Sequence, residues 1–270
     1  MTAHARVAEK TLRPVVPSYP IEQRYRRRLR ALIDEMAKSV LYWTRAAWRS
    51  SPPVLAQDET PAQTIQRAIR RFSRRWIRRF DDMAQRIADA FERETRQHAT
   101  RTMQSIMREA GFTVKFVMTP AMRDVAEATI QANVALIRSI PQKYLTEVEG
   151  IVMRGVQRGG DLEQISKDLQ KQYGVTRRRA DLIARDQNRK ATAAFAQARQ
   201  LECGLTEAVW VHSHAGKTPR PTHVKAGREK VRFKIAEGWY DPDPRVRKRI
   251  LPGELISCRC LAKPIVKGFS

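Results

Sequence analysis

The residues with the most chemistry in this chain lie near its end. Cys258 and Cys260 stand one residue apart in "LISCRC", within a sequence of 270 residues that holds only three cysteines. Upstream, "HAGKTPRPTH" supplies His214, Arg220, Thr222 and His223. Thiolates and imidazoles are the ligands that hold tetrahedral zinc, which makes His214, His223, Cys258 and Cys260 the candidate metal ligands. A CxC pair is a weaker zinc pattern than CxxC, and the histidines must fold back over many residues. The expectation adopted here is therefore that no metal or cofactor is needed and that both thiols pack as small hydrophobes in a C-terminal cap, with zinc as the competing reading. A bridge between them would need an oxidising compartment, whereas three cysteines without an even framework fit assembly in a reducing cytoplasm.

The same loop raises a catalytic alternative. His223 beside Arg220 is a general acid or base next to a phosphate-holding cation, as a nuclease would require. No second acid–base group or carboxylate cluster accompanies the pair, so no catalytic residue is assigned. Arg220 and His223 are expected instead to pin their loop to the final strand by hydrogen bonds. Asp241 and Asp243 alternate with Pro242 and Pro244 and read as a rigid turn.

A second chemistry is cationic. Arg67, Arg70, Arg71, Arg74, Arg75, Arg78 and Arg79 follow one another at helical spacing with no acid between them, an arrangement that like-charge repulsion disfavours in an isolated helix. Arg177, Arg178 and Arg179 fall in the first turn of a helix expected to open at Thr176, where the macrodipole also disfavours cations. These ten arginines are the candidate nucleic-acid-binding residues. The formal charge of +24 is shared between the first 110 residues and the remainder, so it is no detachable tail, and a polyanion or an acidic surface is its natural complement. No apolar run approaches the roughly 20 residues of a membrane span, and the N-terminus lacks the apolar core of a signal peptide. No membrane partner is expected.

Periodicity supplies the elements that must position these residues. Residues 1–20 contain three prolines and read as an extended arm. Ile21, Tyr25, Leu29, Leu32, Met36, Val40 and Trp43 recur at three- and four-residue steps and predict a helix. "SSPPVLAQDETP" breaks it. Thr60 caps and Pro61 opens a second helix, along which Ile65, Ile69, Phe72, Trp76, Phe80, Met83, Ile87 and Phe91 form one stripe that reaches Ile106 before Gly111. "FTVKFVM" alternates like a short strand. Thr119 and Pro120 start a helix that runs into "NVALIRSIP", and another through Tyr144, Val148, Ile151 and Val152 stops at Gly159 and Gly160. Asp161 caps a short helix that Gly174 ends, and the last long helix runs from Thr176 to Leu201 and Gly204. Beyond it, "EAVWVHS", "KVRFKI" and "LISCRCLAKPIV" read as strands and "EGWYDPDP" as a turn-rich loop, with Cys258 and Cys260 on one face of the closing strand. The fold class is α+β: an extended arm (1–20), a basic long-helix region (21–111), a helical core (112–204) and a small antiparallel cap (205–270).

The order of "NVALIRSIPQKY", "VMRGVQRGGDLEQISKDLQKQYGVTRRRADLIARDQ", "VWVHSHAGKTPRPTHVKAGREK" and "LPGELISCRC" resembles the phage Mu F-like minor head protein family, within the phage head morphogenesis group. Asn133, Leu136, Ile137 and Ile140 resemble its first element, Gly159, Gly160, Leu162 and Leu169 its glycine turn and short helix, and Ala180, Ile183, Ala184 and Arg185 its helical signature. Arg220, Pro221, Thr222 and His223 keep its arginine, small-hydroxyl and histidine pattern. Asp186 and Gln187 stand where the family commonly has Thr-Glu, and the acidic residue usual before the arginine is not evident. Some relatives add a CxxC pair that suggests zinc; this chain has none, and the resemblance carries no metal site over.

The resemblance implies a non-enzymatic minor capsid protein of a tailed bacteriophage, made in the host cytoplasm and held in the capsid interior near the portal. Its implied partners are the portal protein, the major capsid or scaffolding protein, and double-stranded DNA through non-specific electrostatic contact. Two other readings stay open: a histidine-dependent nuclease or toxin delivered with the genome, and a cellular nucleic-acid-binding protein.

Overall fold

The structure is a computed structural model that describes residues 8–50, 61–158, 162–216 and 218–267. A short strand, β1 (Glu9–Thr11), precedes four long helices, α1 (Tyr19–Ser50), α2 (Pro61–Glu109), α3 (Pro120–Gln157) and α4 (Leu162–Glu202). The small cap follows: β2 (Glu207–Val211), α5 (Pro221–Arg228), β3 (Arg232–Lys234), β4 (Trp239–Asp241), β5 (Lys248–Ile250) and β6 (Leu261–Lys267). The fold is α+β, as the sequence predicts. The expected break after α1, the Thr60 cap, the Gly159–Gly160 stop and the Asp161 cap lie outside the described residues.

Several helix ends follow from local chemistry. The Thr119 hydroxyl accepts the Met122 amide at 3.2 Å and so caps α3, with Pro120 at its start. At the far end of α2, Gly111 adopts φ 92° while the Phe112 amide donates to the Met107 carbonyl at 2.8 Å. Gly204, at φ 71°, closes α4 the same way, with the Leu205 amide on the Gln200 carbonyl at 3.0 Å. Both take the left-handed turn that glycine adopts without strain.

Two expected breaks do not occur. Pro141 lies inside α3, and Gly174 lies inside α4. An internal proline costs about 3 kcal/mol and an internal glycine about 1 kcal/mol. Ile137, Ile140, Tyr144, Leu145 and Val148 are buried on either side of Pro141, and full burial of one such side chain contributes about 1.5–3 kcal/mol. Burial therefore outweighs the local penalty and the helix continues. Ile165, Leu169, Ala180 and Ile183 do the same around Gly174.

The expected strand at "FTVKFVM" is also absent, since residues 112–118 are irregular. The buried guanidinium of Arg199 donates to the Val117 carbonyl at 2.7 Å and stacks on Phe116 at 4.6 Å from the ring centroid. A side chain has taken the backbone acceptor that a neighbouring strand would have used.

The chain divides into two compact units. One, made of Gln23–Ala90 and Ile130–Ala184, is helical. Its core includes Leu29, Ile33, Met36, Ile69, Phe80, Ile137 and Tyr144, and the buried Tyr25 hydroxyl donates to Asn133 Oδ1 at 2.8 Å. Burial raises the Tyr25 pKa and keeps that donor protonated.

The other unit comprises Met1–Glu22, Phe91–Thr129 and Arg185–Ser270. Its antiparallel sheet has the order β1-β6-β2-β3, with β4 and β5 as a separate pair. In β2, Ala208 and Trp210 point inward, which is the alternation expected of a half-buried strand. The arm is therefore anchored over residues 9–11, where Glu9 faces Lys267 in the ladder. Arg232 adds two bonds to Glu9, at 3.0 and 3.1 Å, and one to Glu207 at 3.1 Å. Arg13 grips Glu109 through two bonds of 2.8 Å, and these hold the Glu109 carboxyl down to about 2. The strands at Trp239–Asp241 and Lys248–Ile250 are additions to what the alternation pattern predicts, the first of them within the segment expected to be only a loop.

The unbroken α4 yields a test. A Cβ on Gly174 would meet only the flexible end of Arg178, at 3.5 Å. Gly174→Ala is expected to raise stability by about 0.5–1 kcal/mol in urea unfolding. A loss of stability would mean that a helix ends at this residue.

Candidate functional site

The closing cysteines do not lie on a strand. The chain from Leu251 to Cys260 is a run of turns ahead of β6, and Ser257 takes the left-handed conformation at φ 59°. The Cys258 amide donates to the Leu255 carbonyl at 2.9 Å, and the Ser257 amide donates to Asp186 Oδ1 of α4 at 2.7 Å. Strand alternation thus does not bring Cys258 and Cys260 together; a turn does. Their partner comes from α5, whose first residue is Pro221 and whose inward side carries His223 and Ala226. Gly227 lets this helix approach β2's end. A Cβ there would lie 2.5 Å from His212 Cβ and 2.8 Å from the His212 backbone nitrogen.

The convergence is close and dry. His223 Nδ1 lies 3.5 Å from Cys258 Sγ and 3.6 Å from Cys260 Sγ. On the opposite side of the ring, Nε2 lies 3.1 Å from Asp241 Oδ2, and Asp241 Oδ1 accepts the Asp243 amide at 3.0 Å. His223 is 2% exposed, each cysteine 4% and Asp241 0%. Trp210 packs edge-on against His223 with centroids 5.1 Å apart. All three cysteines of the chain are free thiols.

The electrostatics follow from this order of contacts. Asp241 as a carboxylate needs a donor, so Nε2 carries the proton and the Nδ1 lone pair faces the two sulfurs. A hydrogen bond from Cys260 lowers the Cys258 pKa, and burial opposes it. Cys260 is raised, first by that same bond to Cys258 and then by burial. The pair gives up one proton readily and the second with difficulty. The buried Trp210 indole N–H has no conventional acceptor, yet it favours negative charge on Cys260.

His214 stands apart from this group. It is exposed, adopts φ 56° and rests against His212 with centroids 4.6 Å apart. Arg220 pins its loop to the turn ahead of β6, and not to the strand itself as expected, by donating to the Ile256 carbonyl at 3.0 Å. Asp241 is the member that sequence reasoning missed. The Asp-Pro-Asp-Pro pattern signalled a turn, and the Asp243–Asp241 contact is such a turn, but nothing local in the sequence indicates the bond across to His223. Cys258 and Cys260 also line a cavity of about 300 Å³, together with Val15, Asn188, Arg189, Ala193, Ile235 and Arg259, among others.

The arginines separate into two groups. Arg177, Arg178 and Arg179 are in the middle of α4, so the expectation that they crowd a helix N-terminus is corrected. Arg177 lies 3.5 Å from Asp34 and over the Tyr173 ring, and Arg179 donates to the Ser139 hydroxyl at 2.8 Å. Arg178 is exposed. On α2, by contrast, Arg67, Arg70, Arg71, Arg74, Arg75, Arg78 and Arg79 are all exposed, while Phe72 and Trp76 are buried between them. Arg79 pairs with Glu35 at 2.6 Å. Among the described residues, Arg70, Arg71, Arg74, Arg75 and Arg78 form no ion pair.

Residues 146–263 match a family model described as "Phage Mu protein F like protein". The chain is also similar to an uncharacterized protein of Haemophilus influenzae, with 28% identity over 265 residues, which are 95% of this chain and 56% of the relative. It thus spans little more than half the length of that relative. No solved structure matches the chain.

The close approach of α5 can be tested. Gly227→Ala would force backbone apart at His212, and overpacking of this kind costs about 1–3 kcal/mol. Denaturant unfolding is expected to show a loss of that size. An unchanged midpoint would mean that α5 does not sit where it presents His223 to the cysteines.

Proposed function

We propose, with the phage Mu protein F-like match over residues 146–263 as premise, that the chain is a structural protein of phage head morphogenesis. In this reading it belongs to the virion and sits in the capsid interior near the portal. The portal protein and the major capsid or scaffolding protein are its protein partners, and packaged double-stranded DNA meets its basic face. That family match is the observation that carries the reading. No helix of the described residues is long and apolar enough to cross a membrane.

The α2 arginine row supports the DNA contact. Five exposed cations without ion pairs among the described residues repel one another along a single helix. Phosphates at their tips would relieve that repulsion and release condensed counterions. Contact of this kind reads charge and spacing and carries little sequence preference.

A structural role is also favoured over the nuclease alternative. His223 is buried, with one ring nitrogen facing Asp241 and the other facing the cysteines. Arg220 is committed to the Ile256 carbonyl. The His223 ring is therefore not presented to a phosphodiester.

Two measurements test this reading. Mass spectrometry of purified heads and assembly intermediates is expected to detect the chain, and its absence from every stage would defeat the head assignment. For the DNA contact, log affinity for duplex DNA should fall linearly with log salt, by about 0.9 for each phosphate neutralised. Replacing Arg70, Arg71, Arg74, Arg75 and Arg78 by Gln should flatten that slope by up to about 4.5. A wild-type affinity indifferent to salt would sink the phosphate contact.

A further inference from the structure

We infer that His223 Nδ1, Cys258 Sγ and Cys260 Sγ form a zinc site, with Asp241 as the residue that orients the imidazole. The inference rests on the cap's own geometry and does not depend on the head-assembly reading.

The separations carry the argument. The three donor atoms lie within 4.8 Å of one another and all three residues are buried. Zinc binds imidazole nitrogen at about 2.0–2.1 Å and thiolate sulfur at about 2.3 Å, which at a tetrahedral angle places N and S about 3.5–3.6 Å apart. The observed distances are 3.5 and 3.6 Å. Hydrogen bonding accounts for this arrangement less well. A hydrogen-bond chain from Cys260 to Cys258 to Nδ1 accounts for the Cys258 contact alone, because Nδ1 has one lone pair and two thiols cannot both donate to it along its axis. A cation between the three atoms satisfies both sulfurs and the nitrogen together.

The surroundings fit the same ion. Asp241 fixes the proton on Nε2 and leaves Nδ1 free to ligate, an arrangement common to metal-bound histidines. The buried Trp210 indole packs edge-on against the His223 ring, with centroids 5.1 Å apart. Two thiolates and an imidazole are soft and borderline ligands, which select zinc over magnesium or calcium. Among the described residues no fourth His, Cys, Asp or Glu joins the group. His212 Nδ1 instead accepts the His214 amide at 3.2 Å. The site thus has three protein ligands among the described residues, and the cavity lined by Cys258 and Cys260 offers room for a solvent molecule as the fourth. Such an ion staples α5 to the loop ahead of β6, segments 35 and 37 residues apart in sequence.

The test uses the full chain expressed in zinc-supplemented medium and then desalted. Elemental analysis should find about one zinc per chain, and cobalt substitution should give the sulfur-to-cobalt charge-transfer band and the intense visible bands of a tetrahedral thiolate site. Cys258→Ser with Cys260→Ser should abolish the charge-transfer band, while Cys203→Ser should leave metal content unchanged. Asp241→Asn should keep the charge-transfer band, shift the visible bands and weaken cobalt binding about 10–100-fold. Wild-type protein with neither zinc nor the charge-transfer band overturns the site, and that result needs no variant to fold. A charge-transfer band that persists in the double serine variant, or vanishes with Cys203→Ser, overturns it equally. Asp241→Asn that binds cobalt as wild type does, with the same visible bands, overturns the orienting role of Asp241.

Discussion

A carboxylate with no exposed surface must find its donors inside the protein, and for Asp241 these are the His223 ring and the Asp243 amide. Leaving such a group unpaired costs several kcal/mol, so the C-terminal cap cannot be arranged independently of this pair. His223 fixes the rotation of α5, Gly227 permits its close approach, and the imidazole then meets the turn that holds Cys258 and Cys260. Ser257 anchors that turn to Asp186 of α4, and Arg220 ties it from the other side through the Ile256 carbonyl. A set of short strands, several of only three residues, is in this way cross-linked by polar contacts that the strands alone would not provide.

The helical unit handles charge differently. Asp181 takes Arg30 in two short bonds, Asp34 meets Tyr173 and Arg177, and Ser139 receives Arg179. Those cations are internal reinforcements, each attached to a neighbouring helix. The α2 row has little of this. Its apolar side is committed to the core through Ile69, Phe72, Trp76 and Phe80, and the arginines are what the 3.6-residue repeat leaves outside. Exposure by itself would be ordinary solvation. It is the absence of acids over thirteen residues, from Arg67 to Arg79, that makes the row unlike an ordinary solvated face.

The parts of the fold that were legible in the sequence are those set by one side chain's immediate neighbours. The stripe from Ile65 to Phe91, the Thr119 cap, the left-handed glycines 111 and 204 and the alternation of Ala208 and Trp210 are all local. Misreadings arose where a distant partner overrode a local preference. Pro141 and Gly174 signalled ends because their intrinsic penalties are real, but the apolar residues flanking each are buried. "FTVKFVM" alternates like a strand, yet Arg199 takes its backbone acceptor. The same applies to the candidate site. The sequence named His223, Cys258 and Cys260, included His214 and omitted Asp241, because ligand type is visible in a sequence whereas the turn at Ser257 and the contact across to β4 are not.

The arginine row and the cysteine–histidine group belong to different units, and their physical requirements are opposite in kind. The row is a surface whose repulsion diminishes only when anions from outside the chain come to it, so its energetics depend on salt and on partner. The side chains of the cysteine–histidine group are buried and draw their polar partners from within the cap. Electrostatic screening acts strongly on exposed charges and weakly on buried ones. Ionic strength should therefore separate the two: a property that weakens steeply with salt belongs to the helical unit's surface, and one that does not belongs to the dry cluster around His223.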